Sequence, residues 1–234
     1  MVLGFQRSRV VMINEAHSGL RRCARTRKIG KRILPAAHTA GVRYLAMEAL
    51  FPEFAEEANS TRNVPRCPGG YLAQHDMREL IAAALDGGWT LVPYEADIRL
   101  KPPEFAHMSR EETNWREDQQ ARNLVSILEG FQDDRSLLVW CGNGHLTKCA
   151  VGEWLPMGLR FSELSGIDPF AIDQIASVEF GDRESYAAPW VERYATEIEA
   201  LGGAAGFLSE EAPANWSPRE RSDAFVLSVE NALS

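Results

Sequence analysis

Apolar positions alternate along the chain between short unbroken runs and helical spacing. Arg9-Val-Val-Met-Ile13 is a continuous apolar run rich in β-branched residues, which suits a strand covered on both faces. A basic stretch from Leu20 to about His38 carries Ile29, Ile33 and Leu34 at helical spacing, with Gly41 as a stop. Arg43-Tyr-Leu-Ala-Met47 reads as a second strand, and the Pro-, Gly-, Asn- and Arg-rich segment Asn59 to Gly70 as a loop. Met77, Leu80, Ile81, Ala84 and Leu85 follow the spacing of an amphipathic helix capped by Gly87-Gly88. Thr90 to Tyr94 is a third strand, whose Pro93 favours a strand edge or end. Ser109 and Glu112 fit a capping box opening a helix to about Glu129, and Ser136 to Cys141 is a fourth strand. Beyond Gly166-Ile-Asp-Pro169 the pattern loosens until a late strand at Ala224 to Val229. Strands alternating with helices predict one α/β domain over residues 1–234, with a mainly parallel sheet flanked by helices.

Composition narrows the function more than the fold. The chain of 234 residues carries a net charge of −8, which argues against a general nucleic-acid binder. No apolar stretch approaches the ~20 residues needed to cross a bilayer, so no membrane partner is expected. The apolar run Val10 to Ile13 is too short for a secretory signal. Cys23, Cys67, Cys141 and Cys149 form no CxxC pair and read as free thiols in a reducing, cytoplasmic setting. P-loop, GxGxxG, HExxH and GxSxG motifs are all missing, which removes support for nucleotide transfer, zincin and serine-hydrolase chemistry.

In open α/β sheets ligands bind beyond the carboxyl ends of the strands. Here the first strand is followed by Asn14-Glu15-Ala-His17, the second by Glu48, the third by Tyr94-Glu95 and the fourth by Asn143-Gly-His145. One such residue is ordinary turn chemistry; four at one sheet edge predict that Glu15, His17, Glu48 and His145 line a common pocket. Neighbouring carboxylates repel, so the cluster needs a shared proton, a cation or a metal. Glu117 falls on the apolar face of the Ser109 helix with Ala121, Leu124 and Leu128, and Arg116 lies on the next stripe. An acid and a guanidinium facing a core require partners: a structural ion pair, or, for Arg116, neutralisation of the carboxylate cluster or an anionic substrate group. The basic stretch is expected to be a solvated helix face, with only Arg21 and Arg22 near enough to His17 to reach the pocket.

The order Ile13-Asn-Glu-Ala-His17, Tyr44-Leu-Ala-Met-Glu-Ala49, Trp115-Arg-Glu117 with Asn123, and Val139-Trp-Cys-Gly-Asn-Gly-His145 resembles the superfamily of erythromycin esterases and ChaN-like haem-binding proteins, over roughly residues 9–175. Asn14 stands where that group usually has glycine, and the Glu-x-His spacing is nearer the ChaN-like branch. The chain is also shorter than the macrolide esterases. The resemblance implies His17 as a base oriented by Glu15 or Glu48, with Arg116 and His145 as electrostatic partners. Asn14, Arg21, Tyr94, Glu95, Glu117 and Asn143 are expected to contact substrate.

The leading expectation is a small-molecule ester or lactone hydrolase that needs no cofactor. The ChaN-like branch implies an alternative, a haem- or metal-binding protein. There Tyr94, His17 or His145 would be ligands, and Glu15, His17, Glu48 and His145 a possible divalent-metal set. A biosynthetic lyase or isomerase would use the same acid–base residues. The Asn59–Gly70 loop, the Leu100–His107 segment and the C-terminal part, with Trp190 and Trp216, are expected to line the substrate site. The oligomeric state stays open.

Overall fold

In a computed structural model, which describes residues 1–17, 20–67, 69–175, 188–212 and 221–229, the chain forms a seven-stranded sheet flanked by helices. In chain order the elements are α1 (Val2–Arg7), β1 (Val10–Glu15), α2 (Leu20–Thr39), β2 (Tyr44–Met47), α3 (Pro52–Thr61), α4 (His75–Asp86) and β3 (Thr90–Pro93). They continue with α5 (Arg110–Glu129), β4 (Leu137–Gly142), α6 (Met157–Ser165), β5 (Phe170–Asp173), α7 (Ala188–Arg193), α8 (Ala195–Ala200), β6 (Ala204–Leu208) and β7 (Ala224–Ser228). The sheet order is β3-β2-β4-β1-β5-β7-β6, parallel except that β6 runs antiparallel to β7.

β1 and β4 are adjacent, central and buried at every position, which accounts for their unbroken apolar runs. Side chains alternate between two cores. Val11, Ile13, Leu45, Met47, Leu138 and Trp140 pack with residues of α2, α3 and α4 on one face. Val10, Met12, Ala46, Val139 and Cys141 pack with residues of α5 and α6 on the other. Pro93 ends β3, an edge strand, where its missing N–H leaves no broken ladder.

Two strands, β5 and β6, fall in the stretch where the sequence pattern loosens, so the sheet is wider than four or five strands. The expected capping box at α5 is altered. Ser109 accepts the Glu112 N–H at 3.1 Å, but the Glu112 carboxylate accepts from the Met108 N–H instead of returning to Ser109. Cys67, Cys141 and Cys149 form no disulfide, and the Cys23 thiol donates to the Ala16 carbonyl at 2.9 Å. Among the described residues no helix is long and apolar enough to cross a membrane.

Candidate active site

The carboxyl ends of β1, β2 and β4 lie side by side, and register places Glu15 opposite Gly142. The chain leaves β2 through Glu48, whose N–H bonds the Trp140 carbonyl at 3.0 Å. This pins a 4% exposed carboxylate over the end of β4. Glu48 Oε2 accepts the Gly142 N–H at 2.6 Å and lies 3.8 Å from His17 Nε2. Glu48 Oε1 accepts Arg116 Nη2 at 2.7 Å and lies 3.7 Å from His145 Nε2. One carboxylate thus stands between two imidazoles and beneath a guanidinium. Burial alone would raise its pKa, but His145, Arg116, His17 and the Gly142 N–H bring it down to about 2.

Each partner is held from a different element. Arg116, from α5, bridges Glu48 and Glu95: its Nε donates to Glu95 Oε1 at 3.0 Å and its Nη2 to Glu95 Oε2 at 2.6 Å. Gln120, one turn on, donates to Glu95 Oε1 at 2.9 Å, and Asn123 donates to the Tyr94 and Glu95 carbonyls. Burial opposes the Arg116 charge and the two carboxylates more than restore it. His145 sits in the turn after β4, where Gly144 leaves room for the Trp154 ring. Its Nδ1 lies 2.8 Å from Glu117 Oε1, and Glu117 also accepts from Trp154 Nε1 at 2.9 Å and the Met157 N–H at 2.6 Å. The His17 ring occupies the space beside Gly142 where a Cβ would stand, with Nε2 and Cε1 overlapping that position. Only glycine admits the ring at that position.

The two imidazoles are pushed in opposite directions. Burial lowers the His17 pKa below its ordinary value; Glu48 resists, while His145, Arg116 and Arg27 reinforce the fall. Burial would lower His145 too, but Glu48 and Glu117 overcome it and lift the value to about 8. The shifts favour neutral His17 and protonated His145 near neutral pH, on the same carboxylate.

Glu15 has a different partner from the one expected. β1 ends at Glu15, and its Oε2 accepts Arg27 Nε at 2.7 Å with both side chains fully buried. Arg27 also donates to Gln74 at 2.6 Å and Asp76 at 2.9 Å. Burial raises the Glu15 pKa to about 7 against the pull of Arg27. The basic stretch is therefore not wholly a solvated face. Arg27 shares the buried stripe of Cys23, Gly30, Leu34 and Ala37, the same signal that placed Glu117 inward. Arg21 lies in α2, and its side chain is outside the described residues, as is Trp216.

Of the expected substrate contacts, Glu95 and Glu117 belong to the ion-pair network, whereas Asn14 and Tyr94 are turned inward. Asn14 Nδ2 donates to the Asn143 carbonyl at 2.7 Å and to Asp173 at 2.9 Å, and its Oδ1 accepts the Gln174 N–H at 2.8 Å. The residue that replaces the usual glycine thus ties β1 to β5 and to the turn after β4. Tyr94 is 1% exposed and its hydroxyl donates to the Trp140 carbonyl at 3.1 Å. Asn143 adopts a positive φ of 40° in that turn, and its Oδ1 is buried without a hydrogen-bond partner. A groove of about 740 Å³ is lined by Phe51 and Phe54 on one side and Pro65, Cys67 and Gly70 on the other, and Gly70 precedes Tyr71, which contacts His17. Trp190 lines a separate pocket of about 470 Å³ with Ile198, Phe207 and Leu227.

The donor set fits a metal or haem poorly. Glu15 gives Oε2 to Arg27, and Glu48 gives its two oxygens to Arg116 and the Gly142 N–H. Among the described residues no group of three His, Cys, Asp or Glu side chains is arranged to hold an ion. Tyr94 is enclosed, and both His145 nitrogens face carboxylates.

No family model and no curated protein matches the chain. Among solved structures, ChaN of Campylobacter jejuni, described with cofacial haem binding, is similar with a TM-score of 0.55 at 9% identity, over 98% of this chain and 91% of that one. RRSP, a MARTX toxin effector domain from Vibrio vulnificus, gives 0.52 at 14% identity, over 74% of this chain. The chain spans only 34% of that effector's length. At these identities the likeness concerns the backbone: the chain has a ChaN-like α/β fold.

Proposed function

We propose that the chain is a hydrolase of small-molecule esters or lactones that works by general acid–base catalysis. The observation that supports this reading is the pair of imidazoles on Glu48, one driven towards the neutral form and the other towards the cation. Pairs of titratable groups with diverging pKa values are what acid–base chemistry near neutrality needs. His17, the more exposed of the two, takes a proton from water as the water oxygen attacks the carbonyl carbon. Glu48 stabilises the imidazolium that forms. Arg116 offsets the charge on the carbonyl oxygen, cationic His145 behind Glu48 adds to the positive field there, and His17 returns its proton to the leaving alkoxide as the tetrahedral centre collapses. Glu95 and Glu117 keep Arg116 and His145 charged and in place. Glu15 supports the site through Arg27 instead of orienting His17 directly.

The test is turnover of a panel of activated esters and lactones by wild type and His17→Asn. The reading expects a pH–rate profile rising through the His17 pKa below 6.5 and falling near 8, with activity lost in the variant. Full turnover in His17→Asn would overturn it. The haem reading, suggested by the ChaN likeness, is tested on the same protein. A stoichiometric Soret shift on adding haemin that disappears in His17→Asn would favour it, in the absence of hydrolysis.

A further inference from the structure

His17 is walled on one side by Gly142, and on another by a residue the reading above does not use. The Tyr71 ring meets the imidazole edge-to-face, with centroids 5.3 Å apart and planes at 75°. The face of the same ring carries the Arg27 guanidinium at 4.8 Å. Tyr71 opens a short 3-10 turn after Gly70, whose φ of 73° turns the chain back towards the strand ends. Its hydroxyl is buried with no hydrogen-bond partner, so the ring, not the oxygen, makes the contacts.

We propose that Tyr71 is a positioning residue for His17: its ring, anchored on the buried Arg27–Glu15 pair, holds the imidazole against Gly142 with Nε2 towards Glu48. Three observations converge on this. Gly142 offers no side chain to trap the imidazole laterally; Glu48 is 3.8 Å away and makes no hydrogen bond that would orient it; and the T-shaped contact with Tyr71 supplies the missing constraint. Arg27 then has a second role, fixing the aromatic plane on which the His17 orientation depends. The charged groups facing His17 are Glu48 beyond β2, His145 beyond β4, Arg116 of α5 and Arg27 of α2. Replacing Tyr71 by an apolar residue removes none of these charges, and Arg27 stays paired with Glu15 and Asp76.

The proposal rests on His17 as the base, but its test does not need turnover. The His17 imidazole is titrated by NMR in wild type, Tyr71→Phe and Tyr71→Leu without substrate. Tyr71→Phe should leave the midpoint and ring shifts as in wild type, because the hydroxyl bonds to nothing. Tyr71→Leu opens the imidazole to water, so its midpoint should rise towards the ordinary value of ~6.5 and its shifts should average over several orientations. Where an ester substrate is turned over, kcat should fall ~10–100-fold in Tyr71→Leu with KM little changed, and recover in Tyr71→Phe. Tyr71→Met, which keeps apolar bulk without a ring, gives the same readout if the leucine variant folds poorly. An unaltered His17 titration in Tyr71→Leu or Tyr71→Met overturns the proposal. Absence of any hydrolysis with a shifted titration would sink the hydrolase reading alone.

Discussion

Glu117→Gln removes one of the two carboxylates that keep His145 cationic while preserving side-chain size. In the native chain Glu117 Oε1 lies 2.8 Å from His145 Nδ1, and its Oε2 accepts the Met157 N–H at the start of α6. Burial lowers the His145 pKa, and Glu48 with Glu117 raises it to about 8. An imidazole that titrates near 6.5 unfolded and about 8 folded contributes ~2 kcal/mol to stability. The folded value is the higher, so this stability is fully present below about pH 6.5 and lost as pH rises through 8. Without Glu117 only Glu48 opposes burial, and the imidazole should titrate below ~6.5. The substitution then costs two separable amounts. Hydrogen bonds to Trp154 and Met157 weaken at every pH, whereas the ~2 kcal/mol of imidazolium stabilisation is lost only where His145 is charged. Urea unfolding at about pH 6 and about pH 9 should show a penalty ~2 kcal/mol larger at the lower pH, or ~4–8 °C in Tm for a chain of this size. Equal penalties at the two pH values would refute the electrostatic reasoning.

Gly142→Ala should expel the His17 ring, because the new Cβ would overlap it, and reduce turnover ~100-fold while the far-ultraviolet spectrum stays native; unchanged turnover counts against this close approach. Arg27→Met strands Glu15, which burial pushes up to about 7 even against the pull of Arg27, and should cost ~2–3 kcal/mol at about pH 9 by urea unfolding. The double variant Glu15→Gln/Arg27→Met should recover most of that loss, and a double variant as unstable as the sum of the two singles would contradict the pairing. Gly30→Ala places a Cβ 2.5 Å from the Trp140 ring; it should cost ~1–3 kcal/mol although alanine is the better helix former, and a stabilised variant would show that the helix has room to move.

The parallel core was legible because β1 and β4 are covered on both faces, which leaves an unbroken apolar signature. The carboxyl ends of β1, β2 and β4 deliver polar residues to one edge, so the meeting of His17, Glu48 and His145 was legible from position, whereas Glu15 lies buried against Arg27. β5 and β6 were not. Phe170-Ala-Ile-Asp173 is four residues long, and Ala204-Ala-Gly-Phe-Leu208 is an edge strand with no β-branched residue. Which carboxylate serves which imidazole was also beyond the pattern. It depends on how α5 seats Arg116 over Glu48 and Glu95, a tertiary fact with no local signal. Arg27 was readable and was masked by its neighbours: among so many basic residues, its place on the stripe of Cys23, Gly30 and Leu34 carried the information, not its charge. Asn14 shows the converse, a polar residue at a strand end whose hydrogen-bonding groups are spent holding the sheet together.

At the centre of the account is one buried carboxylate holding two imidazoles in opposite protonation states at neutral pH. Nitrogen-15 NMR titration of His17 and His145 in the wild-type protein measures this directly. The account predicts that His17 is neutral at pH 7 with a midpoint below ~6.5, and that His145 is charged with a midpoint of about 8. Two midpoints that coincide, or that fall in the reverse order, would contradict it.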